Sequence, residues 1–299
     1  MKEKKLSFRT VDILLIALMI LPLVAGMLLK ALTEPVSEGL NITGARIFFT
    51  VPMPLMDMYI TESQINTWLV SLSLLGLCLF LTHGIAADRR TTRQMIAEWI
   101  VEQCEKLVKQ NMEHDFFAGY APFVAAIMAL SACSSLLTLI GLYPPTSDMN
   151  IVGGWALLVF ILIMKNKLKA GPVYYLKTLL EPIPFMAPMN VIGEIATPIS
   201  MSFRHYGNVL SGSVISALVV WALGNLTSKL LGWLPGILGQ VPFLRIGIPA
   251  ILSLYFDIFS GCLQAFIFAM LTMLYVSGGY PAAELANRLS KKGKPSPAQ

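Results

Sequence analysis

The sequence predicts an all-α, polytopic membrane protein of about six helices. Three observations predict it. Of its 299 residues, 56% are hydrophobic and only 13% charged, where a soluble domain carries roughly 25% charged residues. The apolar residues gather into runs near the ~20 residues that a spanning helix needs. The 22 Lys and Arg, which give a net charge of +5, stand mostly at the ends of those runs. That placement is a topology signal, not a nucleic-acid-binding one.

The elements follow in order. Val11–Leu32 is the first span. The preceding Met1-Lys2-Glu3-Lys4-Lys5 resembles a signal-peptide n-region. The apolar run after it exceeds the usual ~7–15 residues, with no clear small-x-small site, so it reads as a retained helix. Residues 33–63 read as a polar, proline-containing connection, and Ile65–Thr82 as the second span. Residues 86–117 begin with Asp88-Arg89-Arg90 and continue as an amphipathic, surface-lying helix. Ala118–Leu142 is the third span, ending at Tyr143-Pro144-Pro145. Met149–Met164 is a short fourth span closed by Lys165, Lys167 and Lys169. After a proline-rich stretch from Pro172, the chain is apolar from Val191 to about Leu223. Residues 224–245 form a Gly/Pro-containing connection, and Ile246–Ser277 is the last span, followed by a basic tail. The whole chain, 1–299, reads as one membrane domain: an extra N-terminal helix (11–32), middle helices (65–171) and a C-terminal part (172–280). There is no internal repeat.

Putting the N-terminus, 86–117, 165–177 and the tail inside places 17 Lys/Arg in the cytoplasm and leaves Lys30, Arg46, Lys229 and Arg245 outside. Six spans then return both termini to the cytoplasmic side.

Arg204 is the remaining basic residue, and it lies inside an apolar run. A charge at the bilayer centre costs about 2.5–3.5 kcal/mol even on lenient scales, and arginine cannot shed its proton. Either it pairs with an acid inside the bundle, or it stands on an ion pathway, where a permanent cation blocks cations and attracts carboxylates. Ser200, Arg204, Asn208 and Ser211 form one helical stripe, and Gly207 and Gly212 are small enough to admit a neighbouring helix. In the last span Asp257, Gly261, Gln264 and Phe268 form another stripe. An intramembrane Asp is an ion-site or proton-relay candidate, with helix–helix adhesion as the plainer role. Gln264 can orient Arg204. Glu194, ten residues before Arg204 with Pro198 between, lines an inner aqueous path or sits at the interface. His83, His114 and His205 do not cluster, and Cys78, Cys104, Cys133 and Cys262 have no ligand spacing. The sequence therefore implies no metal and no cofactor. It contains no GxxxxGK[ST], GxSxG or HExxH, so it has no nucleotide site of its own.

These residues resemble the subunit a family of F-type ATP synthases. Pro198-Ile199-Ser200-Met201-Ser202-Phe203-Arg204-His205-Tyr206-Gly207-Asn208 is similar to its arginine-bearing signature. The stretch from Asp257 to Tyr275 is similar to its last helix, and Pro145-Thr146-Ser147-Asp148-Met149-Asn150 to a turn of the family. Together they cover roughly residues 65–280. The resemblance implies a long tilted C-terminal hairpin facing a ring of c subunits, and two half-channels that couple H+ or Na+ flow to ring rotation. It implies b subunits of a peripheral stalk as further partners, an F1 head reached indirectly, and a bacterial cell membrane. It also implies a non-catalytic role within an enzyme complex. The family's essential Arg, Asn and Gln map onto Arg204, Asn208 and Gln264. Three positions depart from common members: His205 stands where many have Leu, Ser213 where some have a carboxylate, and Asp257 where relatives have His or Glu. The outer path then rests on one carboxylate, Asp257.

Two other readings remain at this stage. A secondary transporter would use Arg204 as an intramembrane substrate site, but such folds usually show inverted repeats. A membrane scaffold would have no need of Arg204, Asp257 and Gln264 on helical stripes. The topology predicts that cysteines introduced at Ser37 and Ser296 react with an impermeant thiol reagent from opposite sides of the membrane. Labelling of both from one side rejects six retained spans.

Overall fold

The computed structural model describes residues 10–33, 44–54, 57–85, 91–112, 119–181, 183–231 and 244–279. The N-terminal basic cluster, Ser37, Asp88-Arg89-Arg90, His114, most of the connection after Leu231 and the basic tail with Ser296 lie outside the described residues. Six helical segments are long and apolar enough to cross a membrane: Thr10–Thr33, Glu62–Thr82, Ala121–Ile140, Met149–Lys167, Pro184–Leu230 and Gly247–Gly278. The protein is thus a multi-pass helical membrane protein.

Helix α1 (Thr10–Thr33) packs along α2 (Glu62–Thr82). Gly76 makes this possible. A Cβ there would lie 2.8 Å from the Met19 backbone nitrogen and 3.0 Å from the Leu18 carbonyl carbon. Polar pairs hold the two ends of α1. At one end buried Asp12 accepts from Arg93 Nη1 at 2.6 Å, and the Arg93 guanidinium lies 4.1 Å over the Phe80 ring. At the other end the Lys30 ammonium donates to the Gly141 carbonyl, and Arg46 donates to the Thr33 carbonyl at 3.1 Å.

The connection read as residues 33–63 is not all irregular. An antiparallel hairpin pairs β1 (Ile47–Val51) with β2 (Met58–Thr61), with a register shift between Ile47 and Phe49. The runs Ile-Phe-Phe-Thr-Val and Met-Tyr-Ile-Thr are β-branched and aromatic, which suits a pleated strand. α2 starts directly from β2, and the Glu62 amide donates to the Arg46 carbonyl at 2.7 Å.

α3 (Thr92–Asn111) is the amphipathic helix expected between spans two and three, capped by the Thr91 hydroxyl, which accepts from the Gln94 amide. α4 (Ala121–Leu136) runs on as a 3₁₀ turn, Leu137–Ile140, which ends at Gly141 with φ of 78°. A left-handed residue there favours glycine. α5 (Met149–Lys167) is capped by Asp148, which accepts from the Asn150 amide at 3.0 Å. It ends on Lys165 and Lys167, defining the basic end of the bundle. α6 (Pro172–Leu180) is short.

The last two spans depart most from the sequence reading. The apolar run from Val191 to about Leu223 belongs to a single 45-residue helix, α7 (Ala187–Leu231), which passes through Pro198 without ending. At 1.5 Å per residue it is roughly 68 Å long, about twice the ~30 Å hydrocarbon thickness. It therefore crosses steeply tilted or extends beyond the membrane. The final apolar run is three pieces: α8 (Leu244–Ser253), a π-helical segment (Leu254–Ser260) and α9 (Gly261–Gly278). π segments cluster at functional sites.

The main core lies where α3, α4, α5, α7 and α9 meet. It is built from residues including Val124, Ile127, Val159, Met201, Phe268 and Met273. α9 is the central strut, and Gly261 lets it approach α4 closely, since a Cβ there would stand 2.7 Å from Ser135 Cβ. Because backbone cannot yield at Gly76, Gly76→Ala should destabilise the protein by about 1–3 kcal/mol, the usual penalty of overpacking. A lowered thermal-unfolding midpoint in detergent checks it.

Candidate functional site

The site is organised by the antiparallel pairing of α7 with the π segment and α9. Two contacts set its register: Ser260 Oγ donates to Asn208 Oδ1 at 3.0 Å, and a Cβ on Gly212 would lie 3.0 Å from the Phe256 ring. One turn further along, Arg204 falls at the depth of Gln264. Further still, Glu194 and Leu274 line one cavity. Arg204, Asn208 and Gln264 are therefore brought to neighbouring levels, but not onto one face. Arg204 is exposed, Asn208 half-buried and Gln264 buried at 4% exposure. Gln264 shares its stripe with Gly261, which meets α4, and with Phe268, in the core. The expected stripe is real, and it points into the bundle.

The α7 stripe points the other way. Ser200, Arg204 and Ser211 are exposed, and Arg204 has no hydrogen-bond or ion-pair partner among the described residues. The reading of an arginine paired with an acid inside the bundle finds no support there. Of the two glycines read as helix-packing sites, only Gly212 is approached closely among the described residues. Gly207, on the Arg204 face, has no atom within 4 Å of where a Cβ would be.

Glu194 is the best-partnered carboxylate of the site. Lys167 Nζ donates to its Oε1 at 2.6 Å, and the Tyr175 hydroxyl donates to Oε2. It lines a cavity of about 810 Å³ at the basic end, between α5, α6, α7 and the end of α9. Pro198 contributes locally: without an amide hydrogen it leaves the carbonyl of Glu194 outside the helix ladder. The Tyr175 phenol is pushed up to about 12, first by burial and then by its bond to Glu194.

Asp257 is half-buried at the centre of the π segment, where the hydroxyls of Ser253 and Thr138 face its carboxylate. Thr138 belongs to the far end of α4, so Asp257 sits toward the end of the bundle opposite Glu194. Ser213 is exposed on α7, and its hydroxyl is turned back to the Val209 carbonyl at 2.9 Å.

Sequence reasoning passed over Lys167 and Tyr175, which it took for topology and connection. It also left His205 without a role. His205 is fully buried, Nε2 lying 3.2 Å from Ser131 Oγ, with its ring edge-on to Phe268 and Trp155 at 5.5 and 6.2 Å. The hydroxyls of Ser131, Ser134, Ser135 and Thr138, clustered in one half of a largely apolar span, were the available signal. Among the described residues no group of three or more His, Cys, Asp or Glu is placed to hold a metal.

Together the fold and the site define a polytopic membrane protein with an exposed cation, Arg204, on a helix long and apolar enough to cross a membrane, and one carboxylate toward each end of the site. Residues 64–277 match the family described as ATP synthase A chain. The sodium-ion-specific ATP synthase subunit a of Propionigenium modestum is 30% identical over 275 residues, covering 81% of this chain and 87% of that protein. ATP synthase subunit a of Legionella pneumophila (strain Paris) is 27% identical over 231 residues, covering 77% and 90%. That of Bacillus pumilus is 31% identical over 210 residues, covering 66% and 83%. The chain belongs to the ATP synthase A chain family, and so to the membrane-sector subunits of that enzyme complex. α1 and the hairpin precede the matched region.

The Tyr175 environment is testable. Its phenol stays protonated well above the ordinary tyrosine value near 10 and ionises only toward pH 12. Whatever stability the neutral phenol contributes is complete below pH 10 and is lost as the pH rises through 12. In Glu194→Gln the tyrosinate absorbance of Tyr175, taken as the difference from Tyr175→Phe, should appear at lower pH.

Proposed function

We propose that this chain is the ion-translocating stator subunit of the membrane sector of an ATP synthase. It provides two half-channels that couple H+ or Na+ flow to rotation of a c-subunit ring. The observation that carries the reading is Arg204, a permanent cation near the middle of a membrane-crossing helix, exposed and unpaired among the described residues. Lipid is a costly neighbour for a guanidinium, so a polar partner from another chain must face it. Gly207 and the small Ser200 and Ser211 leave the backbone around Arg204 accessible, as a close helix–helix approach requires. Only 6% of the most apolar window of the α7 span is buried, against 39% for the last span. α7 therefore has a whole surface to give to a partner.

The steps follow from charge. An ion enters from the far side by a path bordered by Asp257 and binds a ring carboxylate, neutralising it. The neutral site turns through lipid at little cost. It reaches the inner half-channel, for which the Glu194 cavity at the basic end is the candidate, and there releases the ion. Arg204 stands between the two paths. It favours the ionised ring carboxylate and repels any cation taking the direct route. Each elementary charge moved through 100 mV yields about 2.3 kcal/mol, so a leak would dissipate that drive. Asn208 fixes α7 against Ser260 at this level, Gln264 supplies a buried polar group inside the bundle at the same depth, and Ser213 lies on the same outer stretch of α7. The b subunits of the peripheral stalk hold the chain against the torque, and the F1 head is reached through them.

Arg204→Ala should abolish ATP-driven ion pumping in inverted vesicles while the complex still assembles. In the same assay Asp257→Asn should slow pumping strongly and Asp257→Glu should keep much of it. Coupled pumping at the wild-type rate in Arg204→Ala would end this assignment.

A further inference from the structure

The β1–β2 hairpin precedes the family-matched residues, 64–277, and the ion paths described above do not use it. Its register sorts the side chains. Residues opposite one another in an antiparallel pair share a face, and neighbours along a strand alternate. Phe49 opposes Ile60 and Val51 opposes Met58, so these four make one apolar face. Thr50 and Tyr59 oppose each other on the other face. The apolar face is open: Phe49 is 63% exposed, and Val51 and Met58 are exposed with it. Neither strand carries a charged side chain.

The level of the hairpin is fixed by its base. β2 runs into α2 with no residue between them. The Glu62 amide donates to the Arg46 carbonyl, and Arg46 Nε lies 3.5 Å from Glu62 Oε2. Arg46 Nη1 also donates to the carbonyl of Thr33, the last residue of α1. The base is thus tied to the ends of two spans, of 24 and 21 residues. At 1.5 Å per residue these are roughly 36 and 32 Å long, close to the ~30 Å hydrocarbon thickness. Their ends, and the hairpin with them, come at the headgroup level. Exposed Tyr59 and Trp68 bracket the start of α2, and such rings gather at that level.

We propose that the hairpin is a membrane-interface anchor, laid with Phe49, Val51, Met58 and Ile60 against lipid at the headgroup–acyl boundary beside the ends of α1 and α2. Water does not suit it, because a lone two-stranded hairpin is marginally stable there. The hydrocarbon core does not suit it either. The outer edge of each strand carries backbone groups that the other strand leaves unpaired, and these need polar partners. The boundary supplies both: acyl chains for the apolar face, headgroups and water for the edges. With no charge on the strands, apolar area and not headgroup charge is what binds. The anchor holds the ends of α1 and α2 at one depth, and it does so whether or not the chain translocates ions.

Spin labels test it in the purified complex, held in phosphatidylcholine nanodiscs, from a variant with Cys78, Cys104, Cys133 and Cys262 replaced by alanine. A nitroxide is attached in Phe49→Cys, in Met58→Cys and, on the opposite face, in Thr50→Cys. Collision with oxygen, which concentrates in lipid, is compared with collision with a water-soluble nickel chelate. The labels at positions 49 and 58 should favour oxygen and read about 5–10 Å into the boundary, the depth of interfacial amphipathic elements. The label at position 50 should favour nickel. Adding phosphatidylglycerol should leave all three readings unchanged. If Phe49→Cys does not assemble, Met58→Cys carries the same comparison. Nickel preference at positions 49 and 58 puts the apolar face in water and overturns the anchor. Shielding from both probes puts another subunit on that face and overturns it equally. A lipid depth reached only with phosphatidylglycerol overturns binding by apolar area.

Discussion

A guanidinium carried into the membrane by a long apolar helix must be faced by something polar, and the rest of this molecule is arranged around that demand. Arg204 cannot neutralise itself by losing its proton. The described residues offer it no carboxylate, although carboxylates lie elsewhere in the same helices. Glu194 is held by Lys167 and Tyr175, and Asp257 is faced by hydroxyls of its own segment and of Thr138. Each acid is satisfied locally and kept away from Arg204. Among the described residues the cation is left unpaired.

That separation depends on rigid helix registry. Asn208–Ser260 and Gly212–Phe256 fix α7 against the π segment, and Gly261 seats the start of α9 on Ser135. Small residues set these distances, because helix association in lipid depends on close packing and not on a hydrophobic drive. The π geometry around Asp257 adds a residue to the turn. It allows Asp257 to meet Thr138 while Gly261, one turn on, still meets α4.

The N-terminal helix and hairpin extend the same logic outside the family-matched residues. Asp12–Arg93 at one end, and Lys30 and Arg46 at the other, fasten α1 to its neighbours through charge, while Gly76 brings two backbones together in between. These contacts tie α1 to α2, α3 and the turn after α4 along its whole length.

Much of this was legible in the sequence because lipid imposes few solutions. Six apolar runs of spanning length and the clustering of Lys and Arg at their ends follow from the bilayer's thickness and polarity. Arg204 declares itself by being charged where charge is costly. The limits of the elements were less legible. Pro198 does not stop α7, because a helix in lipid has no better way to satisfy its backbone. The strands at 47–51 and 58–61 flank Pro52 and Pro54 in a stretch that reads as polar overall. The direction in which each stripe faces was settled only by tertiary packing. Periodicity puts Asp257, Gly261, Gln264 and Phe268 on one side of a helix and Ser200, Arg204 and Ser211 on one side of another. It cannot say that the first side turns to α4 and the second away from the chain. Glu194's partners, and the burial of His205 against Ser131, come from segments 19 to 74 residues away, and only the folded bundle brings them together.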